Sequence, residues 1–169
     1  MRHLSLDLRR HYPYRQRTER LIALGRVVLV FFSLIALAID PTQPSGFALA
    51  ATIILAGYLV YAVVLAVVAW QVTQPLPGFQ VWTYVFDLVV FIAVMYLTEG
   101  PTSPFFVFFV FALVVANLRW GSAWAAVAAA AMLCAFVVLG YLGSRVNNFD
   151  LIRFIVRAVY LGIIAVLLT

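Results

Sequence analysis

The sequence is poor in the residues that soluble proteins expose to water. It has no lysine, one cysteine and two histidines, and only 10% of its 169 residues are charged, whereas 66% are hydrophobic. A soluble domain of this size leaves most of its residues partly exposed, so it cannot bury this much apolar surface. The composition, with a mean hydropathy of +1.10, therefore predicts a chain embedded in a lipid bilayer.

Several kinds of chemistry are excluded by what is missing. Cys134, in an alanine-rich stretch, allows no intramolecular disulfide and no metal-ligand spacing, so we predict a small buried thiol. His3 and His11 both precede the first apolar segment, which excludes a bis-histidine haem within one copy. The sequence has no Walker-type glycine loop, paired catalytic carboxylates, nucleophile elbow or zinc motif. We therefore predict no catalytic residue and no metal ligand.

The positive charge is concentrated at the start of the chain. The net charge of +5 comes from eleven arginines, and six of them lie in the first twenty residues: Arg2, Arg9, Arg10, Arg15, Arg17 and Arg20. A basic run can bind nucleic acid, but a run directly before an apolar segment is typical of a cytoplasmic anchor that contacts anionic headgroups. We predict a cytoplasmic basic leader over residues 1–20, a lipid bilayer as partner, and no nucleic-acid partner.

Six apolar segments are candidate membrane spans. A helix rises about 1.5 Å per residue, so roughly twenty apolar residues cross the hydrocarbon core. The candidates are residues 21–39, 47–70, 81–97, 105–118, 122–142 and 151–169. The break between the fourth and fifth is weak, so these two form either a tight helical hairpin or one long broken helix. The predicted fold class is all-α, a polytopic membrane bundle of six transmembrane helices over residues 21–169.

The arginine-rich start also predicts the orientation. With a cytoplasmic N-terminus, six spans return the C-terminus to the cytoplasm, and Asp40, Glu99 and Asp150 lie outside. Indole rings favour the membrane interface, and every tryptophan then lies at a cytoplasmic helix end: Trp70, Trp82, Trp120 and Trp124. The last span ends without a basic stop or a polar tail, so we expect the working protein to continue beyond residue 169.

Four ionisable side chains fall inside predicted spans, where each costs roughly 2.5 to 3.5 kcal/mol on insertion scales. Arg26 and Asp87 both lie about 8 to 9 Å from the cytoplasmic end of their spans, so they can pair between the first and third helices. Such a pair is either a proton-coupled switch or a fixed ion pair. A third alternative is that Arg26 extends to the headgroups.

Arg153 and Arg157 are the other two ionisable groups. They are four residues apart, so they share one helix face near the external end of the last span, where like charges repel. Acidic neighbours or a bound anion would relieve that repulsion. The arginines therefore belong either to a structural network at this membrane face or to a site for an anionic or quinone-like headgroup. The other members of the network would be Asp40, Glu99, Arg145 and Asp150.

The stretch TEGPTSPFF, residues 98–106, separates the third span from the fourth. Its prolines and glycine suit a simple chain reversal, with Glu99 pairing with an arginine. Alternatively, its polar residues form a rim that leads into an aromatic wall. The candidate ligand-binding residues are Glu99, Gly100, Ser103, Pro104, Phe105 and Phe106, together with Arg153 and Arg157. The phenylalanines of this region are otherwise expected to contact lipid, and they are Phe105, Phe106, Phe108, Phe109 and Phe111.

The chain as a whole resembles a known class of membrane domain. A basic leader, the stretch ERLIALGRVVLVFFSLIALAIDP and short-looped spans follow one another, with a Gly/Ser/Pro/Phe break before the fourth span. This arrangement resembles the membrane-embedded input region of bacterial sensor histidine kinases and is similar to regions that precede some diguanylate cyclases. The resemblance implies a homodimer in the bacterial cytoplasmic (inner) membrane, with a kinase part beyond residue 169 that acts on a cognate response regulator.

A narrower likeness is to the redox-responsive sensor kinases of purple bacteria. Their six-span input carries a Gly-Gly-x-x-Asn-Pro-Phe motif that is implicated in ubiquinone sensing. Gly100, Pro104 and Phe105 match this motif, whereas Glu99 replaces the first glycine and Ser103 replaces the asparagine. The resemblance implies a quinone as a candidate ligand, and the two replacements leave quinone binding open.

Three functions follow from these observations. The first is a membrane-embedded sensory input domain of a two-component sensor histidine kinase, or alternatively of a diguanylate cyclase. The second is a small transporter or channel, which Arg26, Asp87 and the arginine pair would serve. The third is a scaffold subunit, because small residues recur on one face of the fifth span and permit close helix packing.

Overall fold

The computed structural model describes residues 2–39, 48–71, 77–98, 104–143 and 151–168. In these ranges the chain forms six α-helices and no strand. They are α1 (Arg2–Ile39), α2 (Ala48–Gln71), α3 (Pro77–Leu97), α4 (Val107–Trp120), α5 (Ser122–Gly143) and α6 (Leu151–Leu168). A 3₁₀ turn, Pro104–Phe106, leads directly into α4. The predicted all-α class is confirmed.

Five of the helices contain a stretch that is long and apolar enough to cross a membrane, so the protein is a multi-pass membrane protein. These stretches are Gln16–Ile39, Leu49–Gln71, Gly78–Leu97, Ser122–Leu142 and Leu151–Leu168. The first of them begins within the predicted leader, because α1 runs without a break across residue 20. Glu19 and Arg20 therefore belong to the helical bundle rather than to a separate segment.

The remaining helix, α4, is short but central. Its 14 residues extend over about 21 Å, less than the hydrocarbon core of roughly 30 Å. It contacts α1, α3, α5 and α6. Six of its side chains are buried: Phe108, Phe109, Ala112, Leu113, Val115 and Ala116. Since other helices surround α4, its length does not need to match the thickness of the bilayer.

The core around α4 is aromatic. The rings of Phe91 in α3 and Phe108 in α4 lie 4.6 Å apart, and Phe105 lies 6.0 Å from Phe108. Phe105, Phe108 and Phe109 are each at most 3% exposed. The expected lipid contact is therefore wrong for these three phenylalanines, because they lie on the faces of the 3₁₀ turn and α4 that the neighbouring helices cover.

Helices α4 and α5 form a tight hairpin, which decides between the two alternatives for this part of the chain. One residue, Gly121, separates them, and its φ of +83° lies in the left-handed region that favours glycine. Its amide donates a hydrogen bond of 2.9 Å to the Asn117 carbonyl oxygen. After this reversal, the ring of Phe136 in α5 lies 6.4 Å from that of Phe109 in α4.

Helix α6 closes the bundle with little buried surface. Only Leu161 and Ala165 of α6 are buried, and the ring of Phe154 stacks on Phe136 at 5.0 Å with an interplanar angle of 5°. Most of its apolar side chains are exposed on the surface of the bundle, where lipid can cover them. Cys134 is also exposed, not buried as predicted, because it faces away from the buried side of α5 that carries Met132 and Phe136.

Candidate functional site

A buried ion pair joins the first and third helices. Nη2 and Nε of Arg26 lie 2.6 and 2.9 Å from Oδ2 of Asp87, and both side chains are 2% exposed. The Tyr58 hydroxyl of α2 donates a hydrogen bond of 2.8 Å to Oδ1 of the same carboxylate. One carboxylate therefore connects three helices, and the Arg26 side chain points toward α3 instead of extending to the headgroups.

This geometry is suited to holding helices together. Both oxygens of Asp87 accept hydrogen bonds, and the opposite charges cancel locally. Removing one partner of a buried pair leaves an uncompensated charge, which typically costs about 3 to 5 kcal/mol in proteins. The arrangement therefore favours the fixed ion pair among the alternatives for these residues.

A second polar cluster lies near the Arg119 end of α4, and we call it the Glu19 cluster. It consists of Glu19 in α1, Gln80 and Thr83 in α3, and Arg119 in α4. Arg119 donates to Glu19 through Nε (3.0 Å) and Nη2 (2.7 Å), in a bidentate contact. Its Nη1 donates to the Gln80 carbonyl oxygen (2.9 Å) and to Thr83 Oγ1 (3.1 Å), and Gln80 Nε2 donates to Glu19 (2.9 Å).

The Glu19 cluster was not predicted from the sequence. Glu19 falls within the predicted leader over residues 1–20, and Arg119 falls in the weak break between the fourth and fifth predicted spans. A signal was present, however, because Glu19 lies seven residues before Arg26, and Gln80 lies seven before Asp87. Residues seven apart share a helix face, so both pairs of polar groups form stripes that face one another.

Tyr84 lies on α3 between the two polar clusters. Its ring meets Trp120 edge-on at 5.1 Å. Its hydroxyl is buried and has no hydrogen-bond partner among the residues that the structure describes. The Tyr58 hydroxyl, in contrast, donates a hydrogen bond to Asp87. The two hydroxyl groups therefore differ in their contribution to the stability of the bundle.

Tryptophan is concentrated at the end of the bundle where the Glu19 cluster lies. The guanidinium of Arg20 lies 4.9 Å from the centre of the Trp70 ring, a cation–π contact between α1 and α2. Trp70, Trp82 and Trp124 are at least 58% exposed. Indole rings at the surface of a membrane bundle favour the lipid–water interface, so this end lies near one membrane surface.

A groove between the start of α4 and α6 contains three of the predicted ligand-binding residues, and we call it the α4–α6 groove. Its volume is about 390 Å³, and its lining consists of Phe106, Val107, Ile152, Arg153, Val156, Arg157 and Tyr160. The lining residues of α6 follow the spacing of one helix face, since Arg153, Val156, Arg157 and Tyr160 are three, one and three residues apart. The Phe106 ring also meets Phe136 edge-on at 5.8 Å, which supports the wall of the groove.

The structure brings together three of the predicted ligand-binding residues, namely Phe106, Arg153 and Arg157. Phe105 is separate from them, because its side chain is 3% exposed and lies in the core beside Phe108. Pro104 begins the 3₁₀ turn that positions Phe106. The other three, Glu99, Gly100 and Ser103, lie outside the described residues. Sequence reasoning missed Tyr160, although its spacing of seven from Arg153 places both on one helix face.

Comparisons with known proteins give no relative for this chain. It matches no protein-family model, no curated protein sequence and no solved structure. Among the described residues, no three histidine, cysteine, aspartate or glutamate side chains are grouped so that they could hold a metal ion. The physical features of the bundle are therefore the basis for its proposed function.

Proposed function

We propose that this chain is the membrane-embedded sensory input domain of a two-component sensor histidine kinase in the bacterial inner membrane. The observation that carries the proposal is the α4–α6 groove, in which Phe106 and the arginines of α6 line one recess at the surface of the bundle. A recess with an aromatic wall, aliphatic side chains and two cations suits an amphipathic ligand dissolved in the membrane. A quinone is the candidate suggested by the sequence resemblance.

The position of α4 supports a route by which ligand binding in this groove affects the rest of the bundle. Val107, its first residue, lines the groove, and Arg119, near its last residue, holds α1 and α3 through the Glu19 cluster. A ligand that binds one arrangement of α4 and α6 more tightly than another shifts the population toward that arrangement. The shift would then change the positions of α1 and α6 relative to a cytoplasmic kinase part.

The proposal includes an orientation. We assign the Glu19 end of the bundle to the cytoplasmic side, because the arginine-rich leader precedes it and the exposed tryptophans cluster there. The α4–α6 groove then opens near the external surface, and both chain termini are cytoplasmic. In a homodimer, a change in α6 would control phosphate transfer to a cognate response regulator.

The alternative of a small transporter or channel has less support from the geometry. It was suggested by Arg26 and Asp87, but these side chains are engaged with each other and with Tyr58. A transport site needs polar groups that a substrate can reach and exchange with. The α4–α6 groove is a surface recess with charged side chains in its lining, and neither Arg26 nor Asp87 belongs to that lining.

The proposal is tested on the natural full-length protein in liposomes, by measuring autophosphorylation with and without reduced and oxidised ubiquinone. We expect Phe106→Ala to reduce the response to the quinone by at least about tenfold, because the aromatic wall is lost. Phe32→Ala is the matched control, since Phe32 is 63% exposed on α1 and away from the groove.

Two results would contradict this proposal. One is a natural full-length protein that has no kinase domain. The other is an autophosphorylation rate that responds equally to quinone in wild type, Phe106→Ala and Phe32→Ala. A measured ion or solute flux through liposomes containing wild type, but not Asp87→Asn, would favour the transporter instead.

A further inference from the structure

The Tyr84 hydroxyl is a buried polar group that the contacts of the fold do not satisfy. The residue is 7% exposed, and its hydroxyl has no hydrogen-bond partner among the residues that the structure describes. A buried hydroxyl without a hydrogen bond loses its hydration and gains nothing in return. Native proteins commonly satisfy such a group with an ordered water molecule, so this hydroxyl marks a candidate binding site.

Tyr84 lies between two levels of polar groups on one face of α3. Gln80 precedes it by four residues and Asp87 follows it by three, which places all three side chains on that face. Gln80 belongs to the Glu19 cluster, and Asp87 pairs with Arg26. The two levels are seven residues apart, about 10 Å along the helix. This separation is too large for a direct hydrogen bond, so a connection between the levels has to pass Tyr84.

The surroundings of the Tyr84 hydroxyl are polar enough to hold water. Asp87 and Arg119, one from each level, both act electrostatically on this hydroxyl. The same two charges act on the hydroxyl of Tyr61, a partly buried residue of α2. A buried water molecule typically makes about three hydrogen bonds, and the Tyr84 hydroxyl can supply the first as donor or acceptor. Tyr61 and the polar groups of the two levels are the candidates for the others.

Solvent has an entry to this region at the Glu19 end of the bundle. The Glu19 side chain is 15% exposed, although Arg119, its partner, is 3% exposed. Tyr84 follows Gln80 by about one turn of α3, or 6 Å, and its ring meets Trp120, the neighbour of Arg119 in the chain, at 5.1 Å. A water molecule can therefore arrive from the membrane surface past Glu19 and does not need to cross the apolar part of the bundle.

We propose that the Tyr84 hydroxyl binds an internal water molecule that bridges the Glu19 cluster and the ion pair of Arg26 and Asp87. Water suits this position because the charges around it are already balanced, Asp87 by Arg26 and Glu19 by Arg119, so that a neutral ligand leaves the balance intact. The two polar levels then form one hydrogen-bonded system that extends from the membrane surface into the bundle. The proposal concerns the interior of α1 to α4 and does not depend on the function proposed for the α4–α6 groove.

Radical footprinting tests whether water is bound, because hydroxyl radicals formed from a bound water molecule oxidise the ring beside it. The full-length protein in nanodiscs is irradiated with X-rays, and the oxidation rate of each tyrosine is measured by mass spectrometry. Tyr58 is the internal control, since it is 3% exposed and its hydroxyl donates to Asp87. We expect Tyr84 to be oxidised several-fold faster than Tyr58. Equal protection of both rings would overturn the proposal and would indicate a dry hydroxyl packed beside Trp120.

The bridge to the ion pair is tested by hydrogen–deuterium exchange of the Arg26 Nε proton, followed by NMR in the same nanodiscs. Tyr84→Phe keeps the ring that meets Trp120 but removes the hydroxyl. The released water regains its hydrogen bonds in bulk solvent, so stability should change little. We expect exchange at Arg26 to slow several-fold in this variant. Tyr96→Phe is the matched control, because Tyr96 is 63% exposed on the same helix, and its exchange should equal that of wild type.

Three further outcomes would contradict the proposal, each in a different way. Oxidation of Tyr84 combined with unchanged exchange at Arg26 in Tyr84→Phe would show a water molecule that does not reach the ion pair. Equally slow exchange in Tyr84→Phe and Tyr96→Phe would show that exchange depends on a general opening of the bundle. Oxidation of Tyr84 that falls when sodium chloride replaces choline chloride in the buffer would identify a sodium ion as the occupant.

Discussion

At the scale of single residues, two buried tyrosines show that the contribution of a hydroxyl group to stability depends on its surroundings. The Tyr58 hydroxyl donates to Asp87 at 2.8 Å, whereas the Tyr84 hydroxyl is buried without a partner among the described residues. A hydrogen bond to a charged group stabilises a fold by about 1.5 to 3 kcal/mol, while a buried hydroxyl without a partner stabilises nothing. The tyrosine hydroxyl therefore stabilises the fold at position 58 and does not stabilise it at position 84.

We predict that Tyr58→Phe lowers the free energy of unfolding by about 1.5 to 3 kcal/mol, because Asp87 loses a donor. Tyr84→Phe should leave stability unchanged or raise it slightly, since the hydroxyl loses no hydrogen bond and its desolvation cost disappears. Reversible unfolding of the two variants and wild type in mixed detergent micelles measures both effects. Equal destabilisation by the two substitutions would contradict the predicted contrast between the bound Tyr58 hydroxyl and the Tyr84 hydroxyl.

At the scale of helices, the close approach of two helices depends on glycine at specific positions. A Cβ atom at Gly140 in α5 would lie 2.6 Å from Cε2 of Phe154 in α6, and that ring is stacked on Phe136. The contact lets α6 lie against α5 even though α6 buries only two side chains. Gly57 in α2 offers a contrast, because a Cβ there would meet nothing within 4 Å.

We predict that Gly140→Ala destabilises the bundle by about 1 to 3 kcal/mol, since the added methyl group must displace a wedged aromatic ring. Gly57→Ala should stabilise it by about 0.5 to 1 kcal/mol, because alanine restricts the unfolded chain and fits the helix. Thermal unfolding of the variants in the same detergent compares them. A stable Gly140→Ala variant would indicate that α6 shifts easily on α5, and the α4–α6 groove should then change shape.

At the scale of the whole molecule, polar contacts join the first four helices to one another, and aromatic contacts extend from these helices to α5 and α6. The ion pair of Arg26 and Asp87 joins α1 to α3, and the Glu19 cluster joins both to α4. The α5–α6 pair is attached to α4 through ring contacts of Phe136 with Phe106 and Phe109. The α4–α6 groove lies where these two assemblies meet.

We predict that Glu19 and Arg119 are energetically coupled. In a double-mutant cycle, Glu19→Gln and Arg119→Gln should each destabilise the bundle, and the double variant should cost less than their sum by about 1 to 3 kcal/mol. The side chains are 15% and 3% exposed, so solvent screens them little. Arg17→Gln combined with Glu19→Gln is the control pair, and additive effects in both cycles would mean that the Glu19 cluster does not join α1 to α4.

The sequence by itself determined that the apolar segments are helical and that the chain crosses a membrane, because both depend on the length and composition of local segments. It did not show that α1 begins within the leader. It also indicated that Arg26 and Asp87 lie at equal depth, since depth follows from position within a span. Phe106, Arg153 and Arg157 were selected by residue type and by their distance from a helix end. These features can be predicted without knowing which helices are neighbours.

Only the tertiary structure decided which side chains meet. Tyr58 joins Asp87, Arg119 binds Glu19 one hundred positions away, and Phe106 faces α6 while Phe105 faces the core. Whether residues 107–120 continue into α5 or fold back depended on the positive φ of Gly121, which glycine permits but does not impose. Helix rotation and neighbour choice arise from packing among all six helices at once. Apart from the polar stripes of α1 and α3, the local patterns of this almost uniformly apolar sequence do not specify them.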